Sequence, residues 1–151
     1  LNATDQLDFY HGGGIDIAFL GFGEVDASGN VNASMIGGKS VGPGGFMDIV
    51  HGARKIVFCG TFDALGSKAD ITGDEIKITE QGSVKKFVKT LAQITFNAET
   101  ALQAYKQILY VTERAVFKLQ ENGLTLIELS KGIDLHKDVL ERMDFMPEIE
   151  I

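Results

Sequence analysis

The sequence predicts an α/β domain, because two short apolar runs typical of buried strands share the chain with two segments of helical periodicity. The apolar runs are Ile15–Gly21 and Lys55–Cys59. The helical segments are Phe46–Ala53 and Asp134–Met143. A chain of 151 residues with 44% hydrophobic side chains can bury one sizeable core, so we expect one compact unit.

The predicted first strand, Ile15–Gly21, is followed by a predicted hairpin within Glu24–Asn32. The turn residues Ser28-Gly29-Asn30 separate two short extended pieces there. Asp16 interrupts the apolar run, and we expect its carboxylate to face a loop or to accept backbone hydrogen bonds.

A glycine-rich run, Gly42-Pro43-Gly44-Gly45, directly precedes the predicted helix Phe46–Ala53. Glycine permits backbone conformations that a Cβ forbids, and the first turn of a helix leaves N–H groups unpaired. The run therefore indicates a cradle for an anion or oxyanion, with a plain connecting turn as the alternative.

The middle of the chain is predicted to be rich in strands. We expect the single cysteine, Cys59, to be packed in the strand Lys55–Cys59 and inert. A loop then extends to about Gly73, and Glu75–Thr79 alternates as a half-exposed strand does. Residues 84–96 carry both helical and strand patterns, and that choice stays open.

The final third is predicted to contain three strands, at Leu109–Thr112, Val116–Leu119 and Leu124–Leu129. The Asn122-Gly123 pair favours a tight hairpin between the last two. Asp134 is expected to cap the terminal helix, and Pro147 to stop it.

Charge and composition exclude several classes of partner. The formal charge of -7 argues against broad electrostatic binding to nucleic acid or to anionic membranes. The basic pairs Arg54-Lys55 and Lys85-Lys86 are expected to lie on the surface. One cysteine and no long apolar segment predict a protein of a reducing compartment, so we expect a cytoplasmic protein.

Familiar catalytic motifs are missing. His11, His51 and His136 lack the spacing of metal ligands, so we expect no metal site. Gly37-Gly38-Lys39-Ser40 lacks the first glycine of a phosphate loop, and Gly21-Phe22-Gly23 lacks the third glycine of a dinucleotide fingerprint.

A resemblance instead runs through most of the chain, from about Asp8 to Pro147. Its motifs, in order, are Gly12–Asp16, Leu20–Asp26, Gly29–Asn32, Gly42–Asp48, and Tyr110–Phe117 with Gly123–Leu126. This ordered set resembles the C-terminal portion of family I coenzyme A transferases, most closely the fused acetate/propionate type. The resemblance implies an open α/β domain with a largely parallel sheet and flanking helices.

For domain organisation, the resemblance implies that residues 1–151 are a fragment of the C-terminal, beta-type domain. The half that binds most of the CoA nucleotide, and the start of this domain, would lie upstream or on a companion chain. A homo-oligomer is also expected.

For chemistry, the resemblance implies ping-pong transfer of CoA from a short-chain acyl-CoA to a free carboxylic acid such as acetate or propionate. A glutamate attacks the thioester, passes through an acyl anhydride and becomes a glutamyl-CoA thioester. Coenzyme A is then substrate and covalent carrier, with no permanently bound cofactor.

For the site, the resemblance implies that Gly42, Gly44 and Gly45 face the thioester or its oxyanion, with Gly42 the first choice. From the residues themselves, we expect Phe46 to contribute apolar surface for the substrate. Asn32 is expected to orient the glycine run or to touch the acyl group, with a bond to its own backbone as the alternative. The family's nucleophilic glutamate lies in a Glu-x-Gly motif upstream of Gly12. Glu24 does not replace it, so we expect the chain alone to be inactive.

Two other interpretations stay open. A sugar-phosphate isomerase or deaminase would need a local His or Asp base with a cationic partner. A non-catalytic assembly or regulatory domain would present a large apolar surface to a partner.

Overall fold

Fourteen strands and three α-helices are found in residues 2–151, the part of the chain that the computed structural model describes. The helices are α1 (Ala3–His11), α2 (Phe46–Gly52) and α3 (Ala98–Gln103). The strands are β1 (Ile17–Gly21), β2 (Glu24–Val25), β3 (Val31–Asn32), β4 (Met35–Ile36), β5 (Lys39–Ser40), β6 (Lys55–Cys59), β7 (Asp63–Ala64), β8 (Lys68–Thr72), β9 (Glu75–Glu80), β10 (Val84–Lys85), β11 (Gln107–Val111), β12 (Ala115–Gln120), β13 (Gly123–Leu129) and β14 (Glu148–Ile149).

A six-stranded central sheet has the order β1-β6-β11-β12-β13-β14. Strands β1, β6 and β11 are parallel, β12 runs against both of its neighbours, and β14 is parallel to β13. Five of the six strands therefore point the same way. The predicted α/β class with an open, largely parallel sheet is confirmed.

The hydrophobic core lies on one face of this sheet, around Phe58 of β6. Its ring centroid is 6.0 Å from that of Phe46, 5.1 Å from that of Phe96 and 5.3 Å from that of Tyr110. The Tyr110 hydroxyl donates to the Gly29 carbonyl, which anchors the β2–β3 hairpin on the sheet. Burial, and secondly the Asp26 charge, raise the pKa of Tyr110 well above its ordinary value.

Most predicted elements are confirmed, including both hairpins and the helix after the glycine run. In the β12–β13 hairpin, Gln120 pairs with Gly123, so the turn itself is Glu121-Asn122. Gly123 has a φ of 107°, and a Cβ there would lie 2.4 Å from the Ala27 carbonyl oxygen. The predicted Asn-Gly turn therefore depends on glycine for conformation and for close approach to β2–β3.

The terminal helix forms in an irregular way. Asp134 caps it as predicted, its side chain accepting from the Lys137 N–H at 2.8 Å. The helix then winds as a π-turn over Leu135–Val139 and as a 3₁₀-turn over Leu140–Arg142. The change of winding coincides with the Asp138 carbonyl, which accepts from the buried Arg114 at 2.9 Å.

Two predictions for the middle of the chain need correction, those for the loop before Gly73 and for Cys59, and the choice left open at residues 84–96 is resolved. The predicted loop before Gly73 contains β7 and β8, and every residue of β8 is exposed, so no buried face marked it. Residues 84–96 form only the short strand β10 followed by irregular backbone. Cys59 is exposed, because it points to the sheet face opposite Phe58.

Helices α1 and α3 had no counterpart among the predicted elements. No residue of α1 is buried, so it has no apolar stripe that a sequence pattern would reveal. In the part of the chain described here, none of the helices has the length and apolar character needed to cross a membrane.

Candidate active site at the carboxyl ends of the parallel strands

The carboxyl ends of β1, β6 and β11 meet at one edge of the sheet. Gly21, Cys59 and Val111 are the last residues of these strands and are in register with one another. In open parallel sheets this edge is where ligands bind, because the connecting loops diverge there. The loop after β1, Phe22-Gly23, forms the floor of two adjoining cavities at this edge.

These cavities, of about 290 and 260 Å³, share Phe22, Gly23 and Ile36 as walls, and we call them together the Phe22 groove. Phe46, the first residue of α2, lines one end. Lys86 lines the other end. The groove is thus mainly apolar, with two lysines, Lys85 and Lys86, at the end away from Phe46.

The glycine run leads directly into Phe46 and is exposed to solvent. Gly42 and Gly44 have φ values of 75° and 52°, and a Cβ at either position would touch nothing. Among residues 2–151 the N–H groups of Gly42, Gly44 and Gly45 donate to no protein acceptor. Gly45 differs in packing, since a Cβ there would lie 2.6 Å from Leu7 of α1. The loop therefore offers free N–H donors, and it leads into Phe46 at one end of the groove.

Asn32 is completely buried, and protein groups occupy its amide. Its Oδ1 accepts from the N–H groups of Ser34 (3.1 Å) and Met35 (2.9 Å). Its Nδ2 donates to Glu24 Oε2 (2.7 Å) and to the Met35 carbonyl. Asn32 thereby fixes the β3–β4 turn, and the Ser34 carbonyl in turn accepts from the N–H of Val41, the residue before Gly42.

Replacing Asn32 with alanine is expected to destabilise the fold by about 1–3 kcal/mol, because Ser34, Met35 and Glu24 would lose their partner. We expect a larger loss in kcat than in substrate affinity, since the glycine run would lose its support. Thermal melts and steady-state kinetics test this. An unchanged melting temperature with a raised KM would instead assign Asn32 to direct substrate contact.

Lys86 is a site residue that sequence reasoning placed on the surface, and this prediction is wrong. Its Nζ lies 3.9 Å from the centroid of the Phe22 ring and donates to the Thr61 carbonyl at 3.0 Å. Burial lowers the pKa of Lys86, while the charges of Glu113 and Asp63 oppose that shift. Lys85 ends β10 and Lys86 follows it directly. Neighbours in extended backbone point to opposite sides, so the two lysines face different ways.

A buried ionic network around Arg114 underlies this end of the groove. Arg114 Nη2 donates to Asp63 Oδ1 at 2.9 Å, and both side chains are almost fully excluded from solvent. Arg114 Nε donates to Glu113 Oε1, and Glu113 Oε2 accepts from the Phe62 N–H at 2.8 Å. The network thus joins the segment after β6 to the loop after β11. It stabilises the edge of the sheet at which the parallel strands end.

The arrangement suits stabilisation of a developing oxyanion more than self-contained catalysis. Within residues 2–151 no cluster of His, Cys, Asp and Glu could hold a metal. The Glu24 carboxylate accepts from Asn32 and from the Ala92 N–H at 3.0 Å, so it is a structural acceptor. Free backbone N–H donors beside an apolar groove are what a reacting carbonyl group requires.

A further cavity, of about 480 Å³, lies elsewhere, between α2 and α3. Its lysine, Lys106, donates to the carbonyls of His51 (2.7 Å) and Ala53 (2.5 Å) and so caps the end of α2. The ammonium group of Lys106 therefore has a structural role. We place the candidate site at the Phe22 groove.

Comparison with known proteins gives close matches over nearly the whole chain. It is 50% identical to acetate CoA-transferase YdiF of Escherichia coli K12 over 149 residues, which are 99% of this chain and 28% of that protein. Caffeate CoA-transferase of Acetobacterium woodii is 44% identical, over 95% of this chain and 28% of its own length. No family model matches the chain.

The fold matches equally well. The structure of acyl-CoA transferase YdiF from E. coli O157:H7, in a thioester complex with CoA, superposes with a TM-score of 0.96 at 49% identity. The match covers 99% of this chain and 29% of that one. The chain therefore spans less than a third of the length of the proteins that it matches.

Proposed function

This chain belongs to the family I coenzyme A transferases, as the C-terminal portion, and on that premise we propose that it forms part of an acyl-CoA:carboxylate CoA-transferase. The proposed substrates are a short-chain acyl-CoA and a small carboxylic acid of the acetate or propionate class. The observation that carries the proposal is the set of free N–H groups of Gly42, Gly44 and Gly45, in a run that leads into Phe46 at one end of the Phe22 groove.

In the proposed reaction, a glutamate carboxylate from a part of the transferase outside this chain attacks the thioester carbonyl, and CoA leaves as the thiolate. The thiolate then attacks the glutamyl carbonyl of the resulting anhydride, which releases the first carboxylate and forms glutamyl-CoA. The second carboxylate reverses these steps and collects the CoA. Each attack develops a tetrahedral oxyanion, to which the glycine N–H groups would donate.

The roles of the named residues follow from their positions. Phe46 and Phe22 offer apolar surface for the acyl group and help to exclude water, which would hydrolyse the anhydride. Asn32 is a positioning residue for the loop that leads to Gly42. Coenzyme A serves as substrate and covalent carrier. The thioester complex of the YdiF relative supports that role.

The test uses a full-length protein in which this chain replaces the matching 149 residues of E. coli YdiF, called here the YdiF chimera. We expect the chimera to exchange CoA between acetyl-CoA and labelled acetate. Intact-mass analysis after acetyl-CoA addition should show a CoA adduct on a glutamate outside this chain. A folded chimera with neither exchange nor adduct, beside active YdiF, would contradict the proposal.

A further inference from the structure

The ammonium group of Lys86 lies at the edge of the central sheet where the parallel strands end. Its Nζ is close to the Phe22 ring, in the loop after β1, and donates to the Thr61 carbonyl, in the segment after β6. Lys86 is only 8% exposed, yet it lines the Phe22 groove. Its charge is therefore placed at the edge where open parallel sheets bind ligands.

The residue at position 60 leaves room for this ammonium group. Gly60 directly follows β6, and a Cβ there would lie 2.9 Å from Lys86 Nζ and 3.0 Å from the nearest atom of the Phe22 ring. Gly60 does not have a positive φ, so the backbone conformation does not require glycine. The need at this position is space for the ammonium group.

Lys86 has no ion-pair partner among residues 2–151. The carboxylates that act on its charge are Asp63 and Glu113, and both pair with Arg114. Asp63 also pairs with Arg142 at 3.2 Å. Two carboxylates thus face two guanidinium groups, and the Lys86 charge is in excess. Burial lowers the pKa of Lys86, which reflects the free-energy cost of a buried charge without a partner.

Two other charged side chains line the same end of the groove, and both have partners. Glu24 accepts two hydrogen bonds from neutral N–H groups. Lys85 pairs with Asp144 at 2.8 Å. An ammonium group has three N–H donors, and within the described residues the Thr61 carbonyl is the one acceptor for those of Lys86. Lys86 therefore has both charge and donors to offer a ligand.

A small carboxylate fits this site better than a neutral ligand does. The chain has a formal charge of -7, so its overall field repels anions, and a local cation is needed to admit one. From Lys86 the two adjoining cavities follow Phe22 and Ile36 to Phe46, the residue after the glycine run. A carboxylic acid bound at Lys86 would thus lie in the same groove that leads to the predicted oxyanion donors.

We propose that Lys86 binds the carboxylate of the free acid before that acid attacks the glutamyl-CoA thioester. The proposal rests on the proposed function, because that function supplies the acid. Lys86 would donate to the anionic acid and not to the neutral thioester, whereas the glycine run would donate to the oxyanion. The two substrates should therefore depend on Lys86 to different extents.

Replacing Lys86 with methionine in the YdiF chimera separates the two substrates. The KM for acetate is expected to rise about tenfold or more, because a hydrogen bond to a charged group is lost. The KM for acetyl-CoA, and the rate at which acetyl-CoA alone forms the glutamyl-CoA adduct, should change by less than about twofold. An unchanged KM for acetate, or equal rises in both KM values, would overturn the proposal.

Lys85→Met is the matched control, since it removes the adjacent lysine of the same groove. The charge of Lys85 already faces Asp144, so the KM for acetate should rise by no more than about twofold. A rise as large as that for Lys86→Met would mean that any cation of the groove has this effect, which would overturn the proposal.

Gly60→Ala tests the same contact without changing the net charge. Its Cβ would displace the ammonium group, so the KM for acetate should rise as it does for Lys86→Met. This variant decides the question if Lys86→Met does not fold. An unchanged KM for acetate in a folded Gly60→Ala chimera would overturn the proposal.

Binding of the acid is also measured without turnover. Sodium acetate, compared with sodium chloride at equal ionic strength, is expected to raise the melting temperature of the chimera, and Lys86→Met should abolish this shift. In a chimera that does not exchange CoA, such a result upholds the role of Lys86 while contradicting the proposed function. An acetate-dependent shift that persists in Lys86→Met overturns the proposal, and an inactive chimera without any shift overturns both.

Discussion

Replacing Gly42 or Gly44 with alanine is expected to lower the kcat of the YdiF chimera by about 100-fold, the typical effect of losing one oxyanion donor. Both glycines have positive φ values, 75° and 52°. An alanine in this region costs about 1–2 kcal/mol, so the loop would relax and turn its N–H groups away from the reacting oxygen. Steady-state CoA exchange with acetyl-CoA and acetate measures the change.

Gly73→Ala is the matched control for this experiment. Gly73 has a φ of 65° with free space around its Cβ position, but it lies at the tip of the β8–β9 hairpin. The control carries the same backbone strain without touching the glycine run. Comparable losses of kcat in all three variants would mean that strain alone reduces activity and that the loop has no role in the reaction.

Replacing Arg114 with methionine is expected to destabilise the sheet by about 3–5 kcal/mol, because Asp63 would remain charged and buried without its main partner. Hydrogen exchange of peptides from β11 and β12 in the YdiF chimera measures the local free energy of opening. Asp63 retains the Gly82 N–H at 3.0 Å and Arg142 at 3.2 Å, which limits the loss.

The exposed pair Arg54–Asp16 is the comparison for the buried one. Both of its side chains are 83% exposed, so Arg54→Met should lower the free energy of unfolding by less than about 1 kcal/mol. The double variant Arg114→Met with Asp63→Leu should recover part of the lost stability, since it removes the unpaired charge. If Arg114→Met lowers the free energy of opening as little as Arg54→Met does, the network does not stabilise the edge of the sheet at which the parallel strands end.

Local patterns predicted much of the secondary structure. The continuous apolar run of β6, the Asn-Gly pair of the β12–β13 hairpin and the Asp134 cap all depend on neighbours in sequence. Elements without such a pattern were missed. The strand β8 is exposed throughout and exists because it pairs with β9, which is a tertiary condition.

The candidate site was predictable in part. The order of the glycine motifs indicated the loop and the family, and glycine itself explains the positive φ values at Gly42 and Gly44. The role of Lys86 depended on a partner that only folding brings near it, whereas most partners of Asn32 lie within three residues of it. Asn32 binds its own turn, and Lys86 packs on Phe22, more than sixty positions away in sequence.

By itself, the sequence determined the α/β class, the principal strands and hairpins, and a glycine run placed before a helix, because spacing and backbone preference act over a few residues. The tertiary structure decided which polar groups are buried and which face of the sheet is open. Cys59 and Phe58 are adjacent in the sequence, yet one is exposed and the other lies in the core. Burial depends on what packs against each face of a strand, and the partners on the Phe58 side come from distant parts of the chain.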